Sequence, residues 1–417
     1  MNIVNLKNGI TVYLDPLPNT HSICLSLCVW AGPFFEKSGQ NGISHLLEHL
    51  HFRALGEWTQ RRLYFEMEKI GTTLRGTTFN NLLKFEVKVL PQYLLQALDI
   101  LQKILNSTPW SEQDFKAEKA VVLNELSEKY QYDAGELALR QIFKTDTYAG
   151  PILGTEKTVN SLNLKDVLQY KKQVFSAGRV SLFVSGAFRA EGVLTPLTQK
   201  LGACPLPAPV AALKSKANFK SQRIKTVILP GEFTDAALSF VIPRGLAQKN
   251  QAELDLLQCI LGEGVGSLLQ RRVREELQLT NCIYTQLDYY LNCAVLQIDF
   301  SVQAERFWPC LQAVLWVLSG LKREVKSKEL AAAVPFYAQN REFELDDPVD
   351  KNWQNIFACL VRKMERPLVL DYCGVTPEQI CLLAAEIFQP QNLYLTVCGG
   401  QRLPQKSFEK QLQMLNK

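Results

Sequence analysis

The stretch Gly42-Ile-Ser-His45-Leu-Leu-Glu48-His49-Leu-His51-Phe52 places two histidines and one glutamate within five residues. The pattern predicts a helix that Gly56 ends. Because a helix turns by about 100° per residue, His45, Glu48 and His49 then lie on one side. Two imidazole groups one turn apart can hold one metal ion, and a neighbouring carboxylate can act on a metal-bound water. The stretch therefore predicts a metal-dependent hydrolytic site.

The composition is that of a folded, water-soluble protein. At 417 residues the chain is longer than one ordinary core, so two domains of about 200 residues each are expected. The net charge of +5 is small beside 46 basic and 41 acidic residues. No basic patch interleaved with aromatic residues accompanies it, so we expect no nucleic-acid partner.

The cysteines and the N-terminus favour a reducing compartment. There are 11 cysteines, an odd number, without a C-x-x-C pair, which argues against a disulfide framework. The first residues lack the basic start and apolar centre of a signal peptide. No apolar run approaches the length of a membrane span. We therefore expect a cytoplasmic protein without a membrane partner.

All four histidines lie within the first 51 residues, so only this part of the chain can offer imidazole ligands. A catalytic zinc ion usually has three protein ligands and one position for water. His45 and His49 supply two of the three, and the third is expected to be an acidic residue on another element. His51 points away from their shared face and His21 precedes a strand, so neither is expected to be a ligand.

A second predicted helix offers candidates for the third ligand. It starts at the capping pattern Ser111-Glu-Gln-Asp114 and runs to about Tyr130. Glu118 and Glu125 are seven residues apart on it and so lie near one face. Glu125 is our candidate ligand, and Glu118 can accept a hydrogen bond from a ligand histidine. A solvated helix face is the alternative interpretation of these glutamates, and the residues alone leave both open.

Strand and helix patterns occur in the same order in both halves of the chain. Strands are predicted at 9–14, 23–30, 72–79, 83–90 and 179–185 in the first half, and at 224–229, 236–242, 282–289, 293–302 and 393–398 in the second. A proline-rich stretch at 204–209 separates the halves. We predict an α+β fold of two similar domains, 1–210 and 211–417, each a mainly antiparallel sheet packed with helices. The repeated order indicates duplication.

The motif His45-x-x-Glu48-His49 is the reversed form of the H-E-x-x-H metallopeptidase motif. Three further segments are Leu6-Lys-Asn-Gly-Ile-Thr-Val12, Trp30-Ala-Gly32 and Glu118-Lys-Ala-Val-Val-Leu-Asn-Glu125. Together with the motif they resemble the insulinase/pitrilysin-type (inverzincin) zinc metallopeptidases. The chain length is similar to that of the half-length branch, which includes mitochondrial processing peptidase subunits and bacterial peptide-maturing proteases.

The resemblance implies Zn²⁺ as the cofactor, with His45, His49 and Glu125 as ligands. It also implies that Glu48 is the general base and that Glu118 supports the site. A peptide substrate would bind as an added strand at a sheet edge of the first domain. Two half-length chains would enclose the chamber in which it is cut, and the second domain would serve substrate clamping and dimerisation. We expect a zinc endopeptidase that cleaves unfolded peptides or leader and precursor peptides.

The second half departs from the family pattern. Active members carry an arginine and a tyrosine, spaced R-E-x-x-G-L-x-Y, which help to hold the substrate. Here Arg274 keeps the arginine position, whereas Gln278 replaces the glycine and Asn281 replaces the tyrosine. Tyr284, three residues later, is a candidate replacement. A surface helix charge is the alternative interpretation of Arg274. In the expected substrate-edge strand, Arg75 stands where the family commonly has asparagine.

An intact set of metal residues beside an altered arginine and tyrosine pattern indicates a division of labour between subunits. We expect the catalytic subunit of a heterodimer with a homologous partner, and a homodimer stays open. The alternative function is a non-catalytic peptide-binding or scaffold subunit of the same family. Inactive members generally lose motif residues, which are all present here. A metal-dependent hydrolase of other substrates has only the motif in its favour.

Overall fold

The structure is a computed structural model that describes residues 1–106, 110–128, 134–143, 150–209, 223–229, 231–290, 292–362, 370–400 and 404–416. Its strands are β1 (Asn2–Asn5), β2 (Thr11–Pro16), β3 (Ile23–Val29), β4 (Ala54–Leu55), β5 (Trp58–Thr59), β6 (Leu74–Thr78), β7 (Leu83–Val89), β8 (Val180–Gly186), β9 (Ile224–Ile228), β10 (Phe233–Pro243), β11 (Cys282–Tyr289), β12 (Cys293–Gln303) and β13 (Leu393–Gly399).

The α-helices lie between these strands. They are α1 (Ile43–Arg53), α2 (Gln60–Glu68), α3 (Leu94–Asn106), α4 (Glu112–Glu128), α5 (Ala134–Ile142), α6 (Glu156–Ser161), α7 (Leu164–Val174), α8 (Ala190–Lys200), α9 (Arg244–Lys249), α10 (Gln251–Gln258), α11 (Phe307–Leu321), α12 (Ser327–Phe343), α13 (Pro348–Ile356), α14 (Pro377–Ile387) and α15 (Gln405–Leu412). Three π-helical stretches are Cys259–Glu263, Gln270–Glu276 and Phe357–Val361. Short 3-10 turns are Pro33–Phe35, Pro91–Tyr93, Ala304–Arg306, Pro390–Asn392 and Gln413–Asn416.

The chain divides into two compact units, each made of three segments. The first unit contains Met1–Gln131, Asp146–Ser215 and Glu342–Pro367. The second contains Tyr132–Thr145, Lys216–Arg341 and Leu368–Lys417. The domain boundary predicted near residue 210 lies outside the described residues. The division into 1–210 and 211–417 therefore stays a prediction.

The two units are built on sheets with the same strand order. The first sheet runs β1-β2-β8-β3-β7-β6 and the second runs β11-β12-β10-β13-β9. Read in reverse, the second sheet is β9-β13-β10-β12-β11. These five strands correspond in order to β2-β8-β3-β7-β6 of the first sheet, which has β1 as an additional edge strand. In each sheet one pair is parallel, β2 with β8 and β9 with β13, and the others are antiparallel. The α+β prediction of two similar, mainly antiparallel domains is confirmed.

In the first unit both faces of the sheet are covered. The central strands β3 and β8 are buried along their whole length, which explains why their sequences are apolar runs rather than alternating patterns. One face packs against α1, α3 and α7 in the main core. The other face carries α13, whose buried Asn352 donates to the carbonyl oxygens of Cys24 (3.2 Å) and Phe183 (3.1 Å). These bonds satisfy an amide that would otherwise be costly to bury.

The second unit repeats this plan with a different covering helix. Its main core lies between the sheet and α10, α11 and α14. On the opposite face, Leu137 and Ala138 of α5 pack against Ala237 and Cys398. Here Thr396 donates a hydrogen bond of 2.5 Å to the side-chain oxygen of Gln141. Each sheet is thus closed on its second face by a helix from a distant part of the sequence.

The predicted elements are found at or near their expected positions. Thr59 caps α2 by accepting from the N–H of Arg62 (3.4 Å), and Ser111 starts α4 by accepting from the N–H of Asp114 (3.1 Å). Within the second unit, Gln270–Glu276 is π-helical. Within the described residues, no helix combines the length and the apolar character needed to cross a lipid bilayer.

Candidate metal centre

Helix α1 begins at a site that only glycine fits well. Gly42 has a φ of +93°, and a Cβ atom there would lie 2.6 Å from the carbonyl oxygen of Leu153. The buried carboxylate of Glu36 accepts hydrogen bonds from the N–H groups of Gly42 (3.1 Å) and Ser44 (3.0 Å). These donors have no partner within the helix, so the carboxyl oxygens of Glu36 satisfy them at the start of α1.

The carboxyl of Glu36 is unusual because it is 2% exposed. Burial raises its pKa to about 7, and the hydrogen bonds from Ser44 and Gly42 offset part of this rise. The hydroxyl of Ser44 adds two further contacts at the start of α1. It accepts a hydrogen bond from the N–H of Gly32 (2.9 Å) and lies 2.7 Å from the hydroxyl of Tyr170 on α7. The start of α1 is therefore held by contacts with Glu36, Gly32 and Tyr170.

Helix α4 faces α1 and is fixed beside it. Near its start, Asp114 accepts from the guanidinium of Arg53 at the end of α1 (3.4 Å). Further along, the Nζ of Lys119 donates to the carbonyl oxygens of Asn160 (2.7 Å) and Leu162 (2.9 Å). These bonds oppose sliding of α4 along α1.

The structure brings His45, His49 and Glu125 together. The Nε2 of His45 lies 3.0 Å from Oε2 of Glu125, and the Nε2 of His49 lies 3.5 Å from Oε1. One possible ligand atom from each residue lies within 4.8 Å of the others. A tetrahedral zinc ion with bonds of about 2.0–2.1 Å holds its ligand atoms about 3.3 Å apart. The donor set and its spacing therefore fit a zinc ion.

Glu118 contacts the ring nitrogen of His49 that does not face Glu125. It is buried, and its Oε2 lies 3.2 Å from Nδ1 of His49. A proton on Nδ1 then points to Glu118 and leaves the lone pair of Nε2 facing Glu125. Burial lowers the pKa of His49, but the hydrogen bond to Glu118 and the charges of Glu125 and Glu48 outweigh it, so the pKa is raised. The same charges would also attract a metal cation.

Glu48 lies between the two histidines and against strand β6. Its Oε2 accepts a hydrogen bond from the hydroxyl of Thr78 and lies 3.9 Å from Nδ1 of His45. A Cβ atom on Gly76 would lie 2.5 Å from Oε1 of Glu48 and 2.6 Å from the ring of Phe52. The absence of a side chain at Gly76 thus lets the strand pass close to the carboxylate.

The two other histidines lie elsewhere. His51 is buried among the rings of Phe85, Trp110 and Phe175, with centroid distances of 5.0, 5.1 and 5.4 Å. Its Nδ1 donates to the carbonyl oxygen of Leu47 (2.7 Å). Burial, with the charge of Lys171, lowers the pKa of His51 well below its ordinary value. His21 is exposed before β3.

The predicted clamp residues belong to the second unit. Arg274 is exposed, and its guanidinium donates to the side-chain oxygen of Gln270 at 3.5 Å. Tyr284 is 50% exposed on β11, and Asn281 precedes that strand. Gln278 has a φ of +51° and is the one non-glycine residue with a positive φ among those described. This position thus has the left-handed backbone that favours glycine, although glutamine occupies it.

Three residues of the site gave no usable signal in the sequence. Glu36 precedes its helix by a loop, so no fixed spacing connects it with Gly42. Gly76 and Thr78 lie in the edge strand, but their contact with Glu48 exists only after that strand packs beside α1. A buried carboxylate or a missing side chain is recognisable only when its neighbours are known.

Comparison with known proteins identifies the family. Residues 11–156 match the family model described as Insulinase (Peptidase family M16). Residues 161–334 match the model described as Peptidase M16 inactive domain. The chain belongs to peptidase family M16. This confirms the resemblance drawn from the sequence motifs.

Relatives within M16 place the chain in the half-length branch. A Bacillus subtilis protein named Uncharacterized zinc protease YmxG is 26% identical over 332 residues, covering 78% of this chain and 79% of that protein. A probable mitochondrial-processing peptidase subunit beta of Arabidopsis thaliana is 28% identical over 232 residues, covering 54% of this chain and 44% of that protein. These names agree with the predicted peptidase class and with Zn²⁺ as its metal.

A solved structure shares the fold over nearly the full length. The crystal structure of a protease from Helicobacter pylori superposes with a TM-score of 0.88 at 20% identity, covering 95% of this chain and 99% of that one. It confirms the M16 architecture of two α+β domains.

Glu36 makes the stability of this M16 chain depend on pH. Its pKa in the folded state, about 7, exceeds the ordinary value of 4.5, so folding favours the protonated form. The stability that this proton contributes is present below pH 4.5 and is lost as the pH rises through 7. We expect the free energy of unfolding of the wild type, relative to Glu36→Gln, to fall by about 3 kcal/mol across this range. Urea unfolding of EDTA-treated protein measures it.

The control is Glu191→Gln, which changes an exposed carboxyl at the start of α8. Its unfolding free energy should follow that of the wild type at every pH. If the unfolding free energy of Glu36→Gln also follows that of the wild type at every pH, the buried carboxyl does not take up a proton in this range.

Proposed function

We propose that this chain is a zinc-dependent endopeptidase in which His45, His49 and Glu125 bind the metal. The observation that carries the proposal is that donor atoms from two helices, α1 and α4, lie within 4.8 Å of one another, with Glu48 beside them. Five residues of matching chemistry occur together, whereas a solvated helix face would not direct Glu118 and Glu125 onto two histidines. The spacing supports zinc, as do the names of the relatives.

A bound zinc ion would polarise the scissile carbonyl group and lower the pKa of its water. Glu48 then takes a proton from the attacking water and later gives it to the leaving amine. The hydroxyl of Thr78 holds one oxygen of this carboxylate, which leaves the other free to accept the proton. Glu118 keeps His49 in the tautomer whose Nε2 can bind the metal.

The substrate is proposed to be an extended peptide. Strand β6 is the last strand of its sheet among those described, and β7 is its partner on one side. Its other edge offers N–H and C=O groups to an added strand, which favours unfolded peptides and leader or precursor peptides. Such a strand would pass directly beside Glu48, because Gly76 and Thr78 both face that carboxylate.

We further propose that the chain works in a closed dimeric chamber as the catalytic subunit of a heterodimer. The support is the altered pattern after Arg274, where Gln278 and Asn281 replace the expected glycine and tyrosine. Several relatives are also named as subunits of the mitochondrial processing peptidase. A partner carrying the intact pattern would then supply the missing clamp, and a homodimer is the competing arrangement.

A non-catalytic peptide-binding or scaffold subunit is the second candidate. It is supported by the description of the model that matches residues 161–334, Peptidase M16 inactive domain. That match covers the second half, whereas the metal residues lie in the segment matched to the insulinase model. The enzyme is the better supported of the two, since His45, Glu48, His49, Glu118 and Glu125 are all kept and in mutual contact.

The roles of the two kinds of glutamate can be separated by substitution. Glu48→Gln should keep one zinc ion per chain but lose cleavage by at least roughly 100-fold, because only the proton acceptor is removed. Glu125→Gln should weaken zinc binding, since a neutral amide replaces a charged ligand. Metal analysis together with cleavage of an unfolded peptide measures both effects.

The matched control is Glu112→Gln, an exposed glutamate in the first turn of the same helix as Glu125. It should change neither zinc content nor cleavage. Loss of zinc in Glu48→Gln would show that the ligand and base roles are assigned wrongly. Zinc-loaded wild type that binds peptides and cuts none would favour the scaffold function.

Thr78 should affect the chemical step alone. Thr78→Val keeps the shape of the side chain but removes the hydrogen bond to Glu48, so kcat should fall roughly ten-fold with KM and zinc content unchanged. Thr78→Ser keeps the hydroxyl and should retain most of the activity. Equal losses in both variants would assign the effect to packing of the strand instead.

Subunit composition decides between the two assemblies. If the chain is half of a heterodimer, the purified chain alone should cleave peptides slowly, and an M16 partner with the intact arginine and tyrosine pattern should increase kcat/KM at least ten-fold. Titrating such a partner into a steady-state cleavage assay measures the gain. Full activity of the isolated chain as a homodimer, with no gain from the partner, would contradict the proposal.

A further inference from the structure

A large cleft lies against the start of β6, on the face opposite the metal centre. It has a volume of about 1130 Å³, and the residues that line it include Lys69, Arg75, Glu86, Lys88 and Asp347. All of its lining residues belong to the first unit. The cleft therefore borders the strand that the proposed function assigns to peptide binding.

Alternation along β6 separates the two faces of this strand. Gly76 and Thr78 face Glu48, as their distances to its carboxylate show. Side chains alternate along a strand, so Arg75 projects to the other face, where it lines the cleft. Its partner across the ladder is Glu86 of β7, which is buried on the same face.

The other cations of the cleft have acidic partners. Lys69 donates to Glu66 (2.9 Å), and Lys88 donates to Asp347 (2.9 Å). Arg75 is exposed, and no acidic side chain lies within ion-pair distance of it in the parts of the chain that the structure describes. Its guanidinium is thus a cation available to a ligand.

The carboxylate opposite Arg75 in the ladder, that of Glu86, already has two partners. Glu86 accepts from the Nζ of Lys84 (2.9 Å) and from the hydroxyl of Ser26 (3.0 Å). Two further acids, Glu68 and Asp350, line the cleft without an ion pair among the described residues. They give the cleft both signs of charge, but only Arg75 stands on the strand itself.

We propose that Arg75 is a specificity-determining residue that selects peptides with an acidic side chain. The proposal rests on the proposed function, in which the peptide pairs with β6. A peptide residue opposite Gly76 faces Glu48, so the adjacent residue, opposite Arg75, directs its side chain into the cleft. A carboxylate there forms a charge-assisted, two-pronged hydrogen bond with the guanidinium.

Three decapeptides test this preference without knowledge of the natural substrate. They alternate alanine with glutamate, with glutamine or with lysine, so in either register the variable side chains share one face. Their dissociation constants are measured by fluorescence anisotropy on the zinc-loaded Glu48→Gln protein, which binds without cutting. We expect the glutamate peptide to bind roughly five-fold more tightly than the glutamine peptide at low salt.

Substitutions at the guanidinium should redirect the preference. In the Glu48→Gln background, Arg75→Gln should remove the preference for the glutamate peptide, and Arg75→Glu should favour the lysine peptide instead. Lys69→Gln is the matched control, because it removes the same charge from the same cleft at a position already paired with Glu66. It should change the preference by less than roughly two-fold.

The outcomes separate this proposal from the proposed function. An unchanged preference in Arg75→Glu, or equal binding of the three peptides, overturns the role of Arg75 whether or not the enzyme cuts. A preference that reverses in Arg75→Glu supports it even if the zinc-loaded wild type cleaves none of the peptides. In that case the peptidase proposal fails while the peptide-binding subsite stands.

Discussion

The buried carboxyl of Glu36 is the contact on which the position of the candidate metal centre depends. It accepts from the N–H groups of Gly42 and Ser44 and so fixes where α1 begins. Because each helical residue turns the next by about 100°, the position of this start sets the direction of His45 and every later side chain. Burying a carboxylate raises its pKa to about 7, which is a cost to stability at neutral pH.

In the proposed function, strand β6 would connect the chemistry of the site with the selection of substrate. One face carries Gly76 and Thr78 against Glu48, and the other carries Arg75 into the cleft. A peptide added to this strand would expose alternate side chains to the two faces, so cutting and recognition can be tuned separately. Replacing Arg75 changes the cleft without touching the base. The two faces of this strand thus carry different residues, which the proposals assign to cutting and to recognition.

The two units share one sheet plan but differ in the residues that it carries. Both sheets share a strand order and a single parallel pair, and each is covered by a helix from a distant segment, α13 or α5. Only the first unit has histidines, because all four lie in the first 51 residues. In the second unit, Gln278 adopts the left-handed backbone that glycine would take at lower cost.

The sequence by itself determined the elements whose signals are local. Helical spacing placed His45, Glu48 and His49 on one face, and the capping pattern at Ser111 marked the start of a second helix. Spacing on the predicted helix made Glu125 a candidate ligand, and the resemblance favoured that role over a solvated helix face and indicated the family. Only the tertiary structure decided which distant groups meet: Glu125 at 3.0 Å from His45, Thr78 on Glu48, and the helices α5 and α13 on the outer faces of the sheets. Such contacts join residues far apart in the chain, and they follow from packing, which no short pattern encodes.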